Sequence, residues 1–316
     1  MESIMIGLNA IFPLTVYMVV GMIAKRVRLV GGTTLTEMNK ATFRIFMFCL
    51  IFMNSYQVDA DSIFTAENGR TLAIALISLA VIVPVGLFIS GKMVNGIKKQ
   101  AVITQACYRS NLVLFGLPIT MSIFGEENLG VVSILIAIMV PIYNIIAVFL
   151  LEYASGQQSR KKNMLAVVLK NPLVLGSVLG LAFSLCQIRL PALFENTISA
   201  MSKVATPLAF FILGGSLSIS DVRKNRRCIT TVCAARLVVI PAIVLGIAAA
   251  LGMRGLPLVG LLSAFASPVA VSSFTMAKEM ETEPELAGEF VAISTLVSLV
   301  TMFCWIVVLN SVGMFG

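Results

Sequence analysis

Apolar stretches of about twenty residues follow one another along almost the whole chain, separated by short polar joins. Such a stretch matches the length needed to cross a bilayer core, and a helix is how a lipid-buried backbone satisfies every N–H and C=O internally. We count ten, at roughly 4–24, 39–58, 72–91, 101–124, 129–151, 165–187, 194–217, 229–252, 256–278 and 288–312. The second and seventh are the least apolar, so counts of eight or nine stay open. The expected class is an all-α integral membrane protein.

Composition agrees: of 316 residues 58% are hydrophobic and 12% charged, about half the charge of a soluble domain. The net charge of +8 does not indicate a nucleic-acid partner, because the basic residues sit in short loops between spans. Fifteen Lys and Arg fall in odd-numbered loops (among them Lys25, Arg26, Lys98, Lys99, Arg160, Lys161, Lys162, Arg223 and Lys224), against Arg70, Arg189 and Arg254 on the other side. Positive charge marks the cytoplasmic face, which places both termini outside, in a multi-pass protein of the plasma membrane. The first apolar stretch is too long for a signal-peptide core and no Ala-x-Ala site follows it. Six cysteines lie in spans or at their ends without metal-ligand spacing, and read as small buried hydrophobes.

The fourth stretch is interrupted by Tyr108-Arg109-Ser110-Asn111-Leu112-Val113-Leu114-Phe115-Gly116-Leu117-Pro118. Breaking a membrane helix is costly unless protein or a wet cavity covers the freed groups. Gly116 and Pro118 are expected to supply the break, and Arg109 and Asn111 its polar chemistry. Arg109 lies about 12 Å along its helix at 1.5 Å per residue, close to the midplane. A second interruption stands at Ser267-Pro268. Paired breaks in two halves of a chain point to a binding site of the transporter type.

The halves also match elsewhere. Pro13-Leu14 and Gly21 recur as Pro172-Leu173 and Gly180, Pro84 answers Pro241, and Pro118 answers Pro268. We therefore divide the chain into a first five-helix repeat at 1–152, a cytoplasmic join at 153–164, and a second repeat at 165–316. Five is odd, so the second repeat enters the membrane inverted, which suits alternating access. The Gly176-x-x-x-Gly180 pair allows close helix packing.

Asn111-Leu112-Val113-Leu114-Phe115-Gly116-Leu117-Pro118 resembles the Asn-x-x-x-x-Gly-x-Pro signature in the fourth helix of the auxin efflux carrier family. With ten spans and a short join, the chain is similar to the family's bacterial branch of malate and malonate permeases. That resemblance implies a fold related to the bile-acid sodium symporters. Helices 1, 2, 6 and 7 would form a scaffold, helices 3–5 and 8–10 a mobile core, and helices 4 and 9 would cross beside the substrate. It also implies a homodimer. Many members carry proline in the second helix, whereas this chain reads Phe48-Cys49 there.

Half-helix N-termini suit an anion, and half-helix C-terminal carbonyls suit a cation or a hydrogen-bond donor. The expected substrate contacts are Asn111, Arg109, Gly116, Pro118, Ser267, Pro268, Ser272, Ser273, Asn54 and Asn144. Five basic residues lie within spans: Arg44, Arg109, Lys170, Lys203 and Arg236. Snorkelling accounts for Arg44, Lys170 and Lys203, while Arg109 either serves the substrate or bonds carbonyls at the break. The charge pattern favours a small organic anion, a mono- or dicarboxylate or an auxin-like acid.

No histidine is present, so an imidazole proton relay is excluded and proton coupling would need an acid such as Asp59, Asp61 or Glu152. Sodium could use Asn, Ser, Thr and carbonyl oxygens. No cofactor is expected; the metal question and coupling to H+ or Na+ stay open, with a sodium-coupled symporter or an anion channel as the competing readings. An enzyme is disfavoured, because no nucleophile–base pair or metal cluster is visible.

Overall fold

The computed structural model describes residues 2–58, 66–156 and 164–315. Asp59, Asp61, Arg160, Lys161, Lys162 and most of the expected join at 153–164 lie outside the described residues. The described chain is helical throughout, apart from one antiparallel bridge between Ser110 and Val269.

Helix α1 (Glu2–Arg26) is followed by α2 (Gly32–Ala41) and α3 (Met47–Tyr56), which a π-helical turn at Thr42–Phe46 joins into one rod. Next come α4 (Ala66–Met93), the half-helices α5 (Ile97–Tyr108) and α6 (Leu112–Phe124), and α7 (Gly130–Ser155). The second half holds α8 (Met164–Lys170), α9 (Pro172–Leu185), α10 (Ala192–Ser216) and the short α11 (Ile219–Lys224). A second π turn at Ala235–Val239 joins α12 (Arg226–Ala234) to α13 (Ile240–Ala250). The half-helices α14 (Leu256–Ala266) and α15 (Ser272–Glu279) and the long α16 (Pro284–Ser311) complete the chain.

Five of these rods are long and apolar enough to cross a membrane: α4 from Asn68, α7, α10, α12 through α13, and α16. Their surroundings differ in a way that lipid explains. α4 turns Ile77 (65% exposed) and Phe88 (63% exposed) outward, a display of apolar surface that water would not tolerate over so large an area. α7 instead is enclosed, with Val132, Ala137, Ala147 and Leu151 buried among the other helices.

Prolines do not break these helices. Pro13, Pro84, Pro118, Pro141 and Pro207 all sit inside helical segments, as neighbouring helices in a membrane bundle permit. This corrects the expected break in the fourth stretch. Gly116 and Pro118 lie within the continuous α6, and the chain unwinds earlier, at 109–111. The ninth stretch breaks where expected: Ser267, preceding Pro268, is extended with φ −64° and ψ 150°, because the proline ring bars the helical conformation from the residue before it.

Two close crossings hold the outer helices. At Gly21 on α1 a Cβ would stand 1.9 Å from the Phe211 carbonyl oxygen of α10, and at Gly180 on α9 one would stand 2.4 Å from the Phe52 oxygen of α3. Only a hydrogen fits there, and this lets the helix backbones meet. The cysteines divide: Cys49 and Cys233 are buried, but Cys186 and Cys304 are exposed, so burial does not describe all six; all are free thiols.

Candidate functional site

The two unwound segments lie side by side, and their main-chain groups satisfy one another. Asn111 donates its N–H to the Pro268 carbonyl at 2.9 Å, and Ala270 donates to the Arg109 carbonyl at 3.2 Å. Val269 N–H goes to Ser294 Oγ on α16 at 3.0 Å, and Ser267 Oγ returns to the Ser263 carbonyl at 2.5 Å. Unpaired peptide groups in an apolar interior cost several kcal/mol each. The crossing removes that cost by pairing one break with the other.

The crossing is electrically polarised. On one side α5 and α14 end, and a helix C-terminus leaves carbonyls unpaired and a partial negative charge. Arg236, presented from the π turn between α12 and α13 and 0% exposed, reaches both ends. Its Nη1 donates to the carbonyls of Cys107 at 3.1 Å and Tyr108 at 3.5 Å, closing α5. Its Nη2 donates to Ala264 at 3.1 Å and its Nε to Ser267 at 3.1 Å, closing α14. The carbonyl-binding role considered for Arg109 therefore belongs to Arg236.

On the other side α6 and α15 begin, and a helix N-terminus carries a partial positive charge; in α15 the N–H groups of Ser273 and Phe274 are already bonded to the carbonyls of Ala270 and Val271. A cavity of about 60 Å³ opens there. It is walled by Asn111, Leu112, Val113 and Leu114 at the start of α6 and by Ala270, Val271 and Ser272 at the start of α15. Tyr143 and Asn144 of α7 close one flank; Met47, Ile51 and Asn54 of α3 and Thr206 of α10 close the other.

Arg109 also faces this cavity, and the Asn144 side chain orients it. The guanidinium Nη2 donates to Asn144 Oδ1 at 2.5 Å, while Nη1 points at Met276 Sδ. Two amide donors of residues lining the cavity, Asn111 Nδ2 and Asn144 Nδ2, are buried without a protein partner, while the hydroxyls of Tyr143 and Ser110 lie against each other. Buried donors without partners are rare in finished cores. Among the described residues lining the cavity none is acidic, so guanidinium, amide and hydroxyl donors and two helix N-termini all favour negative charge.

The expected contacts divide in two. Asn111, Arg109, Asn54, Asn144 and Ser272 line the cavity. Ser267 and Pro268 build the crossing through their main chains, and Gly116 packs in α6 against Val132 and Ser263. Pro118 lies two residues further along α6, and Ser273 is buried in α15 with its hydroxyl unpartnered. Sequence reasoning did not propose Ser110, Tyr143 or Thr206 as contacts. Tyr143 carried a signal, being a polar residue next to Asn144 within an apolar stretch. Lys170, Lys203 and Arg44 are all exposed, and Arg44 also bonds Glu279 at the end of α15 at 2.7 Å.

Residues 6–306 match the model of a family described as membrane transport protein. The chain belongs to this family. It is a multi-pass membrane transporter rather than an enzyme. Among its relatives, an uncharacterized transporter of Methanothermobacter thermautotrophicus is 26% identical over 314 residues, covering 95% of this chain and 98% of that protein. Auxin efflux carrier component 3a of Oryza sativa subsp. japonica is 29% identical over 138 residues, 42% of this chain and 22% of the carrier. Auxin efflux carrier component 1 of Arabidopsis thaliana matches to the same extent, at 29% over 138 residues. The matched part spans about a fifth of the plant carriers' length. Membership implies a small-molecule substrate and embedding in a bilayer.

Proposed function

We propose that this transporter carries small organic anions, mono- or dicarboxylates, by alternating access at the crossing of its two broken helices. The observation that carries the reading is the cavity itself. The starts of α6 and α15, Arg109, and the side chains of Asn111 and Asn144 line it, and among the described residues no carboxylate does. A carboxylate would supply the missing acceptors, and Met47, Ile51 and Val113 give an apolar wall for the rest of the molecule. At about 60 Å³ the space suits a closed state, so binding and release require the walls from α3 and α10 to part from the crossing.

The architecture we assign to this cycle is ten spans in two inverted repeats, at 1–152 and 165–316, with a scaffold of helices 1, 2, 6 and 7 and a core of helices 3–5 and 8–10. In the residues described, these spans are α1, the α2–α3 rod, α4, α5–α6, α7, α8–α9, α10, α12–α13, α14–α15 and α16. Gly21 and Gly180 support the repeat: they hold matching places in the two halves, and each marks a backbone-to-backbone crossing with the other half or its equivalent. We place both termini outside the plasma membrane and infer a homodimer formed through the scaffold.

The deciding experiment is counterflow of labelled carboxylates (malate, malonate, other short acids and indole-acetate) in proteoliposomes, comparing wild type with Asn111→Ala. Saturable accumulation of one acid that disappears in the variant is the expected result. Equal flux in the two proteins, or no acid transported by the wild type, would overturn the reading.

A further inference from the structure

Two helix C-termini aimed at one point create a cation site. In transporters built on broken helices, unwound carbonyls and half-helix C-terminal ends are where coupling sodium ions are held. Here α5 and α14 end against each other and present the carbonyls of Cys107, Tyr108, Ala264 and Ser267 to a single position. That position is filled by the guanidinium of Arg236, which is fully buried and has no carboxylate among its hydrogen-bond partners.

The charges balance without one. Each helix end carries about half a negative charge, so two ends match one guanidinium. Bare burial of a cation is among the most costly events in a protein interior, yet four carbonyls hold this one at 3.1–3.5 Å. The planar fork suits the task, because its N–H groups spread in one plane and reach both helices at once.

We propose that Arg236 is a tethered counter-cation. It occupies the place where a soluble cation would otherwise bind, and so makes the crossing independent of sodium. It acts as a positioning residue: it is not among the residues lining the cavity, but it fixes the two half-helices whose partners, α6 and α15, open onto that cavity. This goes beyond the anion reading, and its test needs no substrate.

The test is thermal unfolding of the full-length purified protein, with the five other cysteines replaced by serine or alanine, followed with a thiol-reactive dye that reports exposure of the buried Cys233. Wild type should melt within about 1 °C in sodium chloride and in choline chloride of equal strength, since no bound ion contributes. Arg236→Gln should melt roughly 10 °C lower. About 50 mM guanidinium should return several degrees to this variant while leaving the wild type unimproved. Arg236→Lys, which keeps the charge, should lose less and stay indifferent to sodium. Sodium-specific stabilisation of the wild type would overturn the proposal. So would a glutamine variant that guanidinium does not stabilise. If the glutamine variant cannot be purified, the lysine variant decides: a folded, sodium-indifferent protein supports the charge balance, and one that likewise cannot be purified, or that sodium stabilises, refutes it.

Discussion

Arg109 and Asn144 are joined by a buried contact of 2.5 Å, guanidinium Nη2 to amide Oδ1. Arg109 comes from the unwound step after α5, and Asn144 from the middle of α7. The contact fixes both ends of the asparagine amide. Its oxygen is spent on the arginine, while its nitrogen is buried beside the cavity without a protein partner. The same bond holds the guanidinium beside the cavity, where its positive charge acts.

Asn144→Asp should therefore silence anion binding without unfolding the protein. The new carboxylate would pair with Arg109 and cancel its charge, and it would replace an N–H donor with an acceptor. Substrate affinity should fall by about a hundredfold, and the melting temperature should hold or rise. Equilibrium binding of the acid identified by counterflow, beside a melting curve, checks both.

Arg109→Gln tests the charge alone. A glutamine can still donate to Asn144, but the site loses a full positive charge in a water-poor setting. We expect at least a tenfold drop in apparent affinity for the anion, with a smaller change in the maximum rate. A variant with wild-type affinity would show that Arg109 is structural.

Gly180→Ala probes the α9–α3 crossing. The added methyl would stand 2.4 Å from the Phe52 carbonyl oxygen, a backbone atom that cannot swing aside. Overpacking of this kind costs about 1–3 kcal/mol or more, and the helices must separate. Melting of the purified variant should fall by roughly 5–10 °C; an unchanged curve would mean that the crossing is looser than the geometry implies.

Topology can be read with a native thiol. Cys186, at the end of α9, is exposed, and the proposed orientation puts it outside. In a protein whose other cysteines are replaced by serine or alanine, an impermeant maleimide should label Cys186 from outside intact cells. A cysteine introduced at Lys224 should react only after permeabilisation. The reverse pattern would invert the assignment.

The apolar stretches, and the break at Ser267-Pro268, were legible because each depends on the local chain: length of hydrocarbon, and a proline acting on its neighbour. Asn111, Arg109 and Asn144 were legible as polar residues where lipid-facing helices carry none. The position of the first break was not. Arg109 to Asn111 unwinds because its main chain pairs with 268–270 in the other half, and nothing in the flanking residues records that partner. Pro118 misled for the same reason, since a proline inside a membrane helix is tolerated when neighbours cover it. Arg236 was visible as a basic residue within a span, but its role was hidden. Its partners are carbonyls, which every residue has, so no motif marks them. The π turn at Thr42–Phe46 leaves no sequence sign either, and Phe48-Cys49 simply continues the rod.

The tie at the heart of the crossing is made of main chain alone, from Asn111 N–H to Pro268 and from Ala270 N–H to Arg109. It is therefore blind to mutation at Ser110 and Val269, which face each other in the bridge. Both positions are buried, so side chains of similar size can replace one another there through generations without loosening the joint. Only a change that deletes an amide hydrogen, a proline at 111 or 270, can cut it. A relative that keeps a quarter of these residues can thus keep the whole joint, and the machinery can outlast most of the sequence that encodes it.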